Sequence, residues 1–330
     1  MATNMTKNDR VEAALKGDDV DRVPVSAWWH DYVREWSAAG LAEATLEGYR
    51  EYDWDFVKVN PRFCYYAEPW GTDYTRYDDR MPEPKTIAVR DASGLPNIKV
   101  VDGTAGAFAE QLESLELIAS GLDGEAPFVQ TVFSPLAVLS RITGSTTAVQ
   151  QMIAEAPEAL EEALGAIAET MGVYSEACLD AGASGIFYAA VEWGSSEFIS
   201  GADYDRFGRP YDEKILEAVA VAPFNVLHVC RNNNHLPRLL DYSVAAFHWD
   251  ARGEANPSLS DIRALTDRAL MGGVDHRRTM RRGGPADVGT EAAEALDETG
   301  GRRFLLAPNC SIDPNSPEAN LFALVEAVLA

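Results

Sequence analysis

Long apolar runs are missing from this chain. No stretch approaches the ~18 apolar residues of a membrane-spanning helix, which argues against a helical membrane protein. The opening MATNMTKNDRVEAALKG is polar and lacks the apolar core of a secretory leader. Basic residues are scarce beside acidic ones: 28 Lys and Arg against 52 Asp and Glu leave a formal net charge of −24. Nothing gathers the cations against that excess, so nucleic acid is excluded as a partner and solubility accounts for the charge. There are 5 histidines and 4 cysteines. Cys64, Cys178, Cys230 and Cys310 lie far apart in a chain with no export signal, which favours free thiols or metal ligands over a disulfide framework. These absences describe a soluble cytoplasmic protein without a membrane or nucleic-acid partner.

What is present is an ordinary apolar fraction of 46%, enough for a large core. Short apolar runs alternate with longer segments of helical period. The strand candidates are 23–29, 55–61, 127–135, 185–192, 224–230, 245–250, 268–275 and 302–310. Most are apolar on both faces, as parallel strands tend to be. A helix through RVEAALKG, with Gly17 as its C-cap, precedes the first strand, and ANLFALVEAVLA is the last helix. Residues 61 to about 110 form an inserted excursion after strand two, with TIAVRDASGLPNIKVVDG as a candidate β-ribbon. The economical architecture is a single (β/α)8 TIM barrel of the α/β class, with an N-terminal helical extension and an inserted loop or β-ribbon region. A doubly wound sheet is the rival, but the G-x-G-x-x-G that should follow its first strand is absent.

Barrel chemistry sits at the C-terminal ends of the strands. Trp29, His30, Asn60, Ser134, Glu192, His228, Cys230, His248, Asp250, Asp275 and Cys310 gather there. In VLHVCRNNNH, His228 and Cys230 point to one side of a strand. With Cys310 they would offer zinc three ligands and leave a fourth position open, the pattern of catalytic zinc. Two thiolates cancel the charge of Zn²⁺, which favours thiol alkylation over hydrolysis. The competing account makes the cysteines small core residues and His228 a hydrogen-bonded core histidine, and a Cys230–Cys310 disulfide is a lesser one. Glu192 is a candidate fourth ligand or acid/base group. Asp250 is a candidate to steer substrate or to orient His228, as zinc-bound histidines require. Trp29, His30, Asn60 and Asp275 are candidate cofactor-binding residues, and Trp28 and Trp70 alternative floors for a flat ligand. His248 is expected to face away as a satisfied core histidine. Cys64 and Cys178 are expected to be buried thiols.

The segments RVEAALKGDDVDRVPV, YDWDFVKVNP, FSPLAVLSRITG, GASGIFYAAVEW, the HVC run and LLAPNCSIDPNSPEANLFAL, in that order, resemble the uroporphyrinogen decarboxylase superfamily over nearly the whole chain. The resemblance implies one uroporphyrinogen-decarboxylase-like TIM-barrel domain over residues 1–330. The true decarboxylases clamp substrate carboxylates with an N-terminal R-Q-A-G-R motif, where this chain has SAWWHDYVREW; Arg34 is present but the arginine pair is missing. The corrinoid-dependent methyltransferase branch is marked by H-x-C on strand five and Cys after strand eight. That implies His228, Cys230 and Cys310 as zinc ligands. It also implies a corrinoid (methylcobalamin or a corrinoid protein) as co-substrate with a small-molecule methyl donor or acceptor. A metal-independent lyase acting on a carboxylated substrate would need arginines at the mouth. A barrel that only binds corrinoid or metal is the third alternative.

Overall fold

The computed structural model describes residues 4–329. Nine strands follow one another along the chain: β1 (Val57–Val59), β2 (Asp73–Thr75), β3 (Glu83–Thr86), β4 (Phe128–Phe133), β5 (Gly185–Val191), β6 (Val226–Val229), β7 (Ala246–Trp249), β8 (Ala269–Val274) and β9 (Phe304–Pro308). Seven form one parallel sheet in the order β1-β4-β5-β6-β7-β8-β9, and helices connect most neighbours. The result is an α/β fold of TIM-barrel-like design. Among the described residues, no helix is long and apolar enough to cross a membrane.

The segment at 23–29 is not a full strand. It forms isolated parallel bridges, Val25 with Leu306 and Trp29 with Ile312. On the β9 side, Leu306 N donates to the Pro24 carbonyl (2.9 Å) and Ser26 N to that of Leu306 (3.2 Å). On the β1 side, Asp55 N donates to the Val25 carbonyl (3.0 Å). The ladder is thin because Pro24 has no N–H to give, and because Val25 N donates to the Asp55 carboxylate (2.9 Å) instead of a strand carbonyl. Even so, the segment bridges β9 and the approach to β1, where a closing strand belongs.

One face of the sheet packs on helices. The other encloses a small interior cluster that includes Trp28, Phe56, Val129, Phe187, Phe224, Val226, Met271 and Leu305. Val11 of the first helix (Lys7–Lys16) joins that cluster. Arg10, one residue before it, pairs with the fully buried Asp55 (2.7 Å) and with Asp21 (2.7 Å). The helix ends at Gly17 (φ 82°), as its sequence predicts. It therefore stoppers one end of the interior through Val11, the partly buried Leu15 and a buried ion network.

The excursion after β1 does contain a ribbon, but a different one. The antiparallel pair is β2 with β3, whereas Ala92–Asn97, inside the predicted ribbon, is a 3₁₀ segment. The Asp91 carboxylate accepts from Ser93 N (2.9 Å) and starts that turn, and Pro96 removes a ladder donor.

Opposite the interior, fully buried Asp212 accepts hydroxyl bonds from Tyr188 (2.6 Å), Tyr204 (2.5 Å) and Tyr242 (2.9 Å). Burial pushes its carboxyl up to about 6, against the pull of those three donors. The folded protein thus holds this proton more tightly than the unfolded chain, whose carboxyl titrates near ~4. The associated stability is complete below about pH 4 and is lost as pH rises through 6, up to about 3 kcal/mol. Asp212→Asn, which accepts fewer hydroxyl bonds, is expected to lower the melting temperature. The deficit relative to the native protein should shrink from pH 4 to pH 7 in thermal melts; a constant deficit would contradict this.

Candidate metal centre

On β6, side chains alternate, and Val226 and His228 face the interior while Leu227 and Val229 face the helices. β7 runs parallel with His228 level with His248. The two imidazoles therefore meet inside the sheet, ring centres 4.7 Å apart and Nδ1 to Nδ1 2.7 Å. His248 Nε2 lies 2.9 Å from the Pro308 carbonyl. A carbonyl only accepts, so His248 carries its proton on Nε2 and offers a lone pair at Nδ1. His228 must then donate from Nδ1, which leaves its Nε2 unprotonated. Burial, reinforced by His228, drives His248 well below the usual histidine range and keeps it neutral, as this chain requires.

The freed Nε2 of His228 faces sulfur. It lies 2.7 Å from Cys230 Sγ and 3.7 Å from Cys310 Sγ, and the two sulfurs are 3.6 Å apart. Both thiols are free. Within this trio the hydrogen bond with Cys230 holds Cys310 far below the usual thiol range, and Cys230 is correspondingly harder to ionise. Tetrahedral zinc with Zn–S of about 2.3 Å and Zn–N of about 2.0 Å needs ligand–ligand edges of roughly 3.6–3.8 Å. Two of the three distances meet that already. The short one is a direct imidazole–thiol contact that a metal would replace. The donor set fits zinc, and no other group of His, Cys, Asp and Glu this compact occurs among the described residues.

Local backbone chemistry aims these groups. β5 bulges between Ala189 and Val191, and Val191 sits at φ 44°. With ψ at −129° this is a sparsely populated conformation for a β-branched residue, strained by about 1–3 kcal/mol. The bend lets the Val191 carbonyl accept from Cys230 N (3.2 Å). Cys310 is placed through its neighbour: Asn309 accepts from Gly273 N (2.8 Å) and donates to Asp250 (3.1 Å). Gly272 permits this, since a Cβ there would stand 2.9 Å from the Asn309 amide oxygen.

The trio lines a cavity of about 520 Å³ walled by Trp28, Phe63, Phe133, Phe187, Val191 and Ile312. Lys58, from β1, also lines it. Its ammonium bonds Asn60 Oδ1 and stands 5.0 Å from the Phe187 ring centre. Burial pulls Lys58 down to about 7, with the charges of Cys310 and Cys230 acting the other way. A smaller cavity of about 120 Å³ reaches the cysteines from another side and is lined by Asp250 and Asn309.

Of the remaining sequence candidates, His30 and Asn60 line the main cavity. His30 is held by Glu35 (2.7 Å). Glu192 pairs with Arg141 (3.3 Å) rather than joining the cysteines. Trp29 packs outward against Gly48 and Tyr52, and Trp28 is the indole that faces inward. The Asp275 carboxylate is engaged by Arg277 N, Arg278 N and the Arg278 guanidinium, so it shapes a turn instead of facing the cavity. Asp250 does not touch His228: His248 takes that place, against the expectation that it faces away. Its signal was readable, because H-x-C on one strand and H-x-D on the next put both histidines two residues before the strand-end group. Lys58 was missed, being one polar residue in an apolar strand. Cys64 and Cys178 are buried, as expected.

The uroporphyrinogen decarboxylase (URO-D) pattern matches residues 6–330. The chain belongs to that family. Its relatives there carry two kinds of name. The methylcobamide:CoM methyltransferase MtbA of Methanosarcina acetivorans is 25% identical, over 98% of each chain. The uroporphyrinogen decarboxylase of Idiomarina loihiensis is also 25% identical, over 99% of this chain and 97% of its own. A solved structure of a methyltransferase from Methanosarcina mazei superposes with a TM-score of 0.84 at 23% identity, covering 98% of both. Family membership thus supports enzymatic activity and the fold, and the site chemistry has to choose between the names.

Replacing His248 by Phe keeps bulk and burial but removes the acceptor for His228. Metal affinity is expected to fall 10–100-fold, measured by chelator competition; unchanged affinity would deny His248 its orienting role.

Proposed function

We propose that this protein is a zinc-dependent methyltransferase moving a methyl group between a corrinoid, carried by a partner protein or free as methylcobalamin, and a thiol or similar acceptor. The observation that carries the reading is the His228–Cys230–Cys310 trio at the strand ends, with His228 Nε2 freed by His248. Relatives named methylcobamide:CoM methyltransferases support it. Zinc held there would supply Lewis acidity that keeps an acceptor thiol ionised near neutral pH.

The chain's own residues do the rest. His228, Cys230 and Cys310 would hold the metal and leave room for the acceptor thiol on the cavity side. The aromatic and aliphatic walls exclude water and orient the acceptor sulfur towards the cavity mouth. The sulfur lone pair then attacks the methyl carbon, the electron pair of the cobalt–carbon bond stays with cobalt, and the thiol proton leaves to solvent. Transfer in the opposite direction uses the same arrangement. On this reading His30 and Asn60, which line the cavity, touch the incoming ligand, whereas Glu192, paired with Arg141, and Asp250, bonded by Asn309, act through those neighbours. The same reading takes residues 1–330 as one cytoplasmic TIM-barrel domain.

A second reading has its own observation. A lyase on a carboxylated substrate needs arginines at the mouth, and Arg277, Arg281 and Arg282 do line the cavity. Metal separates the two readings. Elemental mass spectrometry is expected to find about one zinc per chain, lost in Cys230→Ser and Cys310→Ser, with methyl transfer from methylcobalamin to thiols reduced at least 100-fold in both. Zinc-free protein prepared without chelator would favour the lyase.

A further inference from the structure

The cavity has a sign opposite to that of the protein. Against a chain charge of −24, its lining includes four basic side chains, Lys58, Arg277, Arg281 and Arg282, and one carboxylate, Asp313. That carboxylate is already engaged by Arg281 (3.2 Å), while no ion pair joins Arg277 or Arg282 to an acid within the described residues. Two donors in the group are buried and under-used. Lys58 is 7% exposed and bonds a single neutral acceptor, Asn60. His276, also 7% exposed, lines the cavity with its Nδ1 buried and unpartnered. The turn carrying His276 and Arg277 is shaped by Asp275, whose carboxylate takes two backbone N–H groups (2.7 and 2.8 Å). Concentrated positive charge in a concave, partly apolar site raises the local concentration of anions and repels cations.

The other half of the lining is apolar and largely aromatic, with Trp28, Phe133 and Phe187 among its walls. At about 520 Å³ the space falls in the range that takes ring-bearing organic ligands. A short-chain thiol would leave most of it to water.

We propose that the cavity binds a ring-bearing organic carboxylate, its ring against the aromatic wall and its carboxylate at Lys58, His276, Arg277 and Arg282. This rests on the methyltransferase reading only for which group is transferred at the other end. Cationic methylamines are excluded from the site by the same charges.

Isothermal titration calorimetry on the protein as purified, with 4-methoxybenzoate, 4-methoxybenzamide and methoxyacetate, tests it. The probes carry no thiol, so they report on this wall whether or not zinc is found; zinc content, measured alongside, bears on the methyltransferase reading alone. The benzoate is expected to bind about tenfold more tightly than either the amide or methoxyacetate. In Arg277→Gln/Arg282→Gln, both exposed positions, and in Lys58→Met, the benzoate should fall to the affinity of the amide. Unchanged amide binding would show that the cavity is intact. Equal binding of benzoate and amide in the native protein, a preference that survives in the variants, methoxyacetate matching benzoate, or no binding of any probe would each overturn the proposal.

Discussion

The bond between two imidazoles, His228 Nδ1 donating to His248 Nδ1, governs what this site can be. It exists because β6 and β7 are parallel and in a register that brings the two residues level. It has a direction because the Pro308 carbonyl behind His248 only accepts. Three elements distant in sequence thereby decide which nitrogen of one ring carries a proton. A side chain that satisfied inward packing alone would not need this chain of donors, and a branched aliphatic would fill the space more simply. Two buried histidines at one level of a barrel interior are polar groups that inward packing alone does not call for.

Much of the architecture was legible because period and composition agree. Parallel strands with both faces buried are continuous apolar runs, and seven of the eight runs became strands of one sheet. The exception, 23–29, contains Pro24, whose missing donor thins the ladder to isolated bridges. The inserted region was harder. Its ribbon is built from Asp73–Thr75 and the wholly exposed Glu83–Thr86, which carry no apolar alternation to read.

The site was legible where alternation along one strand suffices and obscure where tertiary register decides. His228 and Cys230 share a side by strand geometry alone. That His248 rather than Asp250 meets His228 depends on the pairing of β6 with β7. That Trp28 rather than Trp29 faces inward depends on a segment too irregular for parity to count from a fixed end. The basic wall was readable but overlooked: HRRTMRR sets Arg277, Arg278, Arg281 and Arg282 within six residues, in a turn and short helix after β8, against the expectation that nothing gathers the cations.

The last strand of the sheet is held against the segment at 23–29, through Pro24, Val25 and Ser26 on one side and Leu306 on the other. Cys310 lies just beyond that seam, and Ile312 N donates back to the Trp28 carbonyl (3.0 Å). The third residue of the trio is therefore delivered by a closure spanning almost the whole chain, among the slowest kinds of contact to form. A ribosome-bound chain can present His228 and Cys230 long before it can present Cys310. The trio is therefore complete only when the two ends of the chain have met, so its geometry depends on the closing seam as much as on β6.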